Sequence, residues 1–379
     1  MAQRLKTDWI LFLTVLTMVC FGLVIVYSAS SLVAEFKFRN TSHFFVRQLV
    51  WAVFSFVALM YLKGRDYRNL RHPVWAFTPL GLVLLALVVV YFADPRAHRW
   101  IRAGMFSLQP SEFAKPALIL FLAYFVSSRS NAINSRYTLG PASVAVILLA
   151  LMVGIADLGT AIVLVATATV IFYVAGLERR YFIVAGMAGL VLVVAAVAAK
   201  PYRMGRIIGY VDPEYKLLDK MDPSGKIKAY IHQSSSAHDP SYQVRQSKIA
   251  VGTGGVLGVG LMQGKQKLLY LPEAHTDFIY AVVGEELGMW GSGALLAGFL
   301  LILWRGLRLF WLASDEFGRY LALGITASII VQAFINMSVV VDIVPNKGIP
   351  LPMISSGGSS LLSTLISLGL LLSVSERSG

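Results

Sequence analysis

The sequence predicts an all-α polytopic membrane protein, one unit over residues 1–379, and three observations predict it. The chain is 57% apolar and only 14% charged, with mean hydropathy +0.69, which is too greasy for an ordinary water-soluble domain. Apolar runs of about 20 residues, the length that crosses a hydrocarbon core of about 30 Å, recur along it. The basic residues of the short connections fall unevenly between the two sides those runs would define.

Ten runs are expected to span. The first, Trp9 to Tyr27, is too long for a cleavable signal peptide and continues into "SASSLVAEF", so it stays as a helix. It carries the only cysteine, Cys20, which rules out internal disulfides and thiolate metal sites. Phe44 to Leu62 and Val74 to Phe92 follow, then the short run Phe113 to Ser127. Thr138 to Ala156, Gly159 to Gly176 and Tyr181 to Ala199 complete the first seven. A segment of 77 residues, Lys200 to Thr276, then interrupts the pattern with eleven Lys/Arg and six Asp/Glu. Within it "YQVRQSKIAVGTGGVLGVGLMQG" reads as a short interfacial helix followed by a glycine-rich re-entry toward the membrane. Tyr215 to Asp239 is expected to be its mobile part. The remaining runs are Phe278 to Leu303, Tyr320 to Val341 and Pro350 to Val374, the last opening on a glycine and serine cluster.

With the N-terminus inside, fourteen Lys/Arg lie on cytoplasmic connections against seven on short outer ones, so both termini are expected in the cytoplasm. The long segment between helices seven and eight, about residues 200–276, is then extracytoplasmic. The net charge of +13 is spread over loops rather than gathered on one domain. It reads as topology and contact with anionic headgroups, not as nucleic-acid binding.

Charged groups at membrane depth are expensive, and each is a functional candidate until a partner explains it. Asp277, in "YLPEAHTDFIYAVVGEELG", is placed by this reading in the first turn of the eighth helix, at the outer boundary, where the helix dipole favours a carboxylate. The bland alternative is that Thr276 or Asp277 merely caps the helix. His275 beside it reads as a local hydrogen-bonding group. Glu285 and Glu286 lie deeper and read as structural anchors. Glu112 and Lys115, three apart in "FSLQPSEFAKPAL", share a helix face; with Asp157 of "ADLGTA" they suggest a net negative polar centre, or else an ion pair that fixes packing. In "VDIVPNKGIPLPMISSGGSS" three prolines and three glycines preclude a continuous helix, which is tolerated at this depth only where backbone lines a cavity or is buried. The amides around Ser355, Gly357, Gly358 and Ser359, with the Lys347 ammonium, suggest an anion site; a hinge is the alternative. Together these groups point to a cavity opening outward. No Walker motif or metal-spaced histidine cluster is present.

These stretches, with "YSAS", "HFFVRQLVW" and "HRWIRAGMFSLQPSEFAKPAL" in the same order, resemble the SEDS family, which includes FtsW, RodA and SpoVE, over nearly the whole chain. The likeness is nearer to the division-type branch than to the elongation-type one. It implies ten helices and a peptidoglycan glycosyltransferase that polymerises lipid II at the outer face of the bacterial inner membrane. Asp277 matches the family's essential aspartate and would act as general base on a sugar hydroxyl. Arg47, Arg102 and Lys347 would face the leaving pyrophosphate, with or without a divalent ion such as Mg or Mn. Glu112, Lys115 and Asp157 would shape the site. A class B penicillin-binding protein and other division proteins are the implied partners. A lipid II flippase and a non-enzymatic scaffold are the competing readings. The chain departs from the family pattern at Ser356, where tyrosine is common, at "IADLGT" in place of "QPDLGT", and in an insertion around Lys216 to His238.

Overall fold

The structure is a computed structural model and describes residues 7–94, 98–103, 106–199, 201–212, 222, 240–268 and 270–377. Each of the ten apolar runs falls on a helix: α1 (Trp9–Phe38), α2 (His43–Gly64), α3 (Pro73–Ala93), α4 (Pro110–Ser127), α5 (Arg136–Ala156), α6 (Leu158–Val174), α7 (Arg179–Ala198), α10 (Ile279–Leu312), α11 (Glu316–Val340) and α12 (Gly358–Arg377). Seven of them are long and apolar enough to cross a membrane. Two further helices belong to the long segment, α8 (Pro201–Val211) and α9 (Pro240–Gly254). The expected interfacial helix is α9; α8 was not expected. The insertion around Lys216 to His238, and the part expected to be mobile, lie outside the described residues except for Asp222.

Helix boundaries follow local chemistry. Prolines open α3 and α4 at positions that need no amide donor. Asp8, Ser135, Asp157 and Asp315 accept backbone N–H bonds at the starts of α1, α5, α6 and α11. The last helix begins at Gly358 and not at Pro350, because Asp342 to Gly357 runs as turns and extended backbone. The all-α expectation needs one addition: Ile101–Ala103 pairs antiparallel with Phe106–Leu108, setting Arg102 opposite Ser107.

The centre of the bundle is α4, α11 and α12. Of the most apolar window, 72% is buried in α11 and 78% in α12, against 22% in α3 and in α5. Large apolar side chains on the outer helices are exposed, as a lipid-facing surface requires. Small residues let the central helices approach closely: a Cβ at Gly369 would lie 2.8 Å from the Leu59 carbonyl oxygen on α2.

Ionic contacts separate the two ends of the bundle. At one end Thr7 and Lys63 bond Glu376, Arg305 bonds Asp8, and Arg377 pairs with Asp66, so the described start and end of the chain lie together. Asp277 lies at the other end, beyond the start of α10.

Candidate active site

Asp277 stands one residue before Phe278, the N-cap of α10, and is half-exposed. This corrects one expectation. The residue is outside the first helical turn; Phe278, the N-cap, makes no side-chain cap bond, and the Thr276 hydroxyl donates to Glu273.

What fixes Asp277 is the irregular segment 342–357. A Cβ at Gly348 would collide with Oδ2 of Asp277, so only glycine leaves room for the carboxylate there. From α11, Asn336 Nδ2 donates at 2.7 Å to the carbonyls of both Asp277 and Ile349. One turn earlier Gln332 Nε2 donates to Pro350 O at 2.8 Å. Ser355 Oγ donates to Thr276 O at 2.5 Å, and Ser356 N to His275 O at 2.9 Å. Side chains and neighbouring loops thus pair backbone groups here that have no regular structure, and so satisfy groups that lipid would leave orphaned.

The expected anion site at the start of α12 is partly closed. Gln48 Oε1 accepts from Gly357 N at 3.1 Å, the Ser356 amide is already used, and a Cβ at Gly358 would overlap the Trp51 ring. Ser359 is buried. Lys347 instead turns toward α6, where a Cβ at Gly159 would come 3.2 Å from its Cε.

That places Lys347 beside Asp157, in the one-residue turn between α5 and α6. Asp157 accepts from Arg99 at 2.8 Å, from Gln109 at 3.2 Å, and from the amides of Gly159 and Thr160. Burial pushes its carboxyl up, but Arg99 and Lys347 outweigh burial and hold it below the ordinary carboxylate value. Arg99 and Gln109 are members of this cluster that sequence reasoning missed.

Glu112 and Lys115 form a buried pair at 2.8 Å, and Lys115 also bonds Gln332 Oε1 at 2.6 Å. Through Gln332 the pair supports Pro350. The two expected acids are thus each met by a cation, Glu112 by Lys115 and Asp157 by Arg99.

Arg47 bonds the Ser107 hydroxyl, and Arg102 is paired opposite Ser107 in the ribbon, so these two cations share one location. His275 packs against Phe44, ring centroids 4.9 Å apart. Burial lowers its pKa, Glu273 opposes and Lys37 adds to the lowering; the net is below the ordinary histidine value, so it is neutral at pH 7.

Two clefts of about 250 and 240 Å³ lie elsewhere, one beside Asp8 and Arg305, the other at the Gly284–Gly288 bend of α10. Neither includes Asp277. The site is marked by chemistry and position, not by cleft size. No group of three or more His, Cys, Asp or Glu comes together among the described residues, so they offer no ready-made cage for a Mg or Mn ion. In chemical terms the arrangement is a half-exposed carboxylate, held by its own main chain, with Lys347 in its supporting loop and Arg47 and Arg102 at the two-stranded ribbon.

Residues 8–379 match the family model described as "Cell cycle protein", FtsW/RodA/SpoVE. The chain is 39% identical over 375 residues to a "Probable peptidoglycan glycosyltransferase FtsW" of Trichlorobacter lovleyi, covering 97% of this chain and 93% of that one. It is 37% identical to "Stage V sporulation protein E" of Bacillus subtilis, covering 99% of each. Among solved structures, it superposes with a TM-score of 0.74 and 26% identity, over 98% of both chains, on a chain from work on the structural coordination of polymerization and crosslinking by a peptidoglycan synthase complex. It shares the fold of the rod shape determining protein RodA of Thermus thermophilus, with a TM-score of 0.67 and 23% identity.

Proposed function

The chain belongs to the FtsW/RodA/SpoVE family of cell cycle proteins and is a peptidoglycan glycosyltransferase, and we propose that Asp277 is its general base. The 4-hydroxyl of an N-acetylglucosamine attacks the anomeric carbon of a sugar carried on polyprenyl pyrophosphate. The new glycosidic bond forms as the bond to pyrophosphate breaks. The hydroxyl proton passes to the carboxylate, a transfer that typically contributes 10² to 10⁴ in rate. Pyrophosphate leaves with its own charge, and Arg47, Arg102 and Lys347, joined by Arg99, supply positive potential on that side. No nucleotide is needed, because the substrate's pyrophosphate linkage already stores the driving force.

The observation that carries this reading is the placement of Asp277: half-exposed at a bundle end, outside the helix, with Gly348 leaving room for its carboxylate. A carrier would need its acid at mid-depth, and the deeper acids Glu112, Glu285 and Glu286 are each tied into local bonds.

The relatives named FtsW favour the division branch. The finer topology we propose is ten spans, both termini cytoplasmic and Asp277 facing outward in the inner membrane at the septum. Lipid II is the proposed substrate and a class B penicillin-binding protein the proposed partner, in line with the synthase complex above, with other division proteins joining it. The test is polymer formation from labelled lipid II by purified Asp277→Ala and Asp277→Asn. Both are expected to fold and to make no polymer; substantial product from either removes Asp277 from the mechanism. Chelation with EDTA in the same assay reads out any dependence on a divalent ion.

A further inference from the structure

One buried ionic cluster plays no part in the chemistry above. Lys267, from the outer segment, is 4% exposed and Glu286, on α10, is 0% exposed. Their Nζ and Oε1 atoms are 2.5 Å apart. Ser28 of α1 closes a triangle: its hydroxyl donates to Glu286 at 2.7 Å and accepts from Lys267 at 2.8 Å. Next to it, Glu285 Oε1 accepts from Lys265 N at 2.7 Å and from Gln266 N at 3.1 Å.

The backbone shows what this cluster fastens. α10 is broken at Gly288, which has φ 64° and ψ −154°. In an unbroken helix Met289 N would donate to Glu285 O. Here it donates to Gly255 O at 3.0 Å, and the carbonyls freed by the break accept from Val259 N at 3.0 Å and Gly260 N at 2.9 Å. The glycine-rich run is thus wedged into the helix break. A Cβ at Gly258 would overlap Glu286 O, and one at Gly264 would come 2.8 Å from Glu285 Oε2. Such close backbone approach requires glycine.

We infer that Lys267, Glu286 and Ser28 are positioning residues for Asp277. The chain has only ten residues between Lys267 and Phe278. It is pinned at its start by the triad, in its middle by burial of Leu271 and Ala274 against α10 and α11, and at its end by Asn336 and Ser355. Removing the first pin frees the strap that presents the carboxylate. The inference rests on Asp277 being the base, and it predicts a loss in turnover rather than in substrate binding, because no member of the triad touches the reacting groups.

The experiment uses the full-length purified protein and labelled lipid II. Lys267→Met is expected to keep KM within about twofold while kcat falls on the order of 10- to 100-fold, the penalty for a carboxylate misplaced by about an ångström. Lys267→Arg, which keeps the charge, is expected to recover most of the rate. Ser28→Ala, which leaves the ion pair intact, decides the matter if Lys267→Met does not fold, with an intermediate loss expected. An independent readout places a thiol at the site: Asp277→Cys in a Cys20→Ser background, with and without Lys267→Met, labelled by a water-soluble maleimide. A changed labelling rate together with the kcat loss supports the inference. A folded Lys267→Met with unchanged kcat and unchanged labelling overturns it, as does a rate loss in Lys267→Arg equal to that of Lys267→Met. Changed labelling with unchanged kcat instead overturns Asp277 as base and leaves the positioning intact.

Discussion

Gly348 is the residue where space and chemistry meet most tightly. A methyl group there would collide with the Asp277 carboxylate, the far end of a flexible side chain, and not with packed backbone. Gly348→Ala is therefore expected to fold with a nearly unchanged melting temperature and to lose on the order of 100-fold in kcat, measured as initial rate of polymerisation. Two other single groups set a pH dependence. His275 titrates below its ordinary 6.5 and Asp157 below its ordinary 3.8. In both cases the unfolded chain takes up its proton at a higher pH than the folded one, so stability is fully present above those values and is lost as pH falls. Thermal unfolding in detergent is expected to show a first decline beginning near pH 6.5, absent in His275→Asn, and a second below pH 3.8. Asp277 and Lys347 were legible as candidates because charge is rare in an apolar chain. Arg99 was not, since an arginine in an outer connection looks the same whether or not it meets a buried acid.

The element that organises the active end is the irregular segment 342–357, and α11 holds it with Gln332 and Asn336, four residues apart on one face. The Glu112–Lys115 pair feeds the same support through Gln332. Breaking a buried pair leaves an uncompensated charge, so Lys115→Met is expected to destabilise by about 3 to 5 kcal/mol. Glu112→Leu combined with Lys115→Met, which removes both charges, is expected to recover most of that stability but not the activity, because Pro350 loses its anchored partner. Denaturant unfolding and the polymerisation assay together check this. The break between α11 and α12 could be read from three prolines and three glycines in "VDIVPNKGIPLPMISSGGSS". The break inside α10 could not, since one glycine in a helical run is commonplace and only the wedge of Gly255 to Gly260 explains its φ of 64°.

Across the entire molecule the centre is filled by α4, α11 and α12, and the charges buried inside are met by ionic partners, Glu112 by Lys115 and Glu286 by Lys267. The contacts of Thr7 and Lys63 with Glu376 bring the described chain ends to the same face. Reporters that fluoresce only in the cytoplasm are thus expected to be active when fused at either terminus, and inactive when inserted within residues 223–239; a signal from that insertion would reverse the orientation. The number and order of apolar runs, the place of Asp277 at a helix boundary and the family motifs were all available from the sequence, because hydropathy and helical period are local properties of a chain in lipid. Which distant groups meet was decided only by folding: Arg99 reaches Asp157 58 residues away, and Lys115 reaches Gln332 217 residues away. Such partners come from how helices pack side by side, and packing geometry leaves no period in the sequence to read.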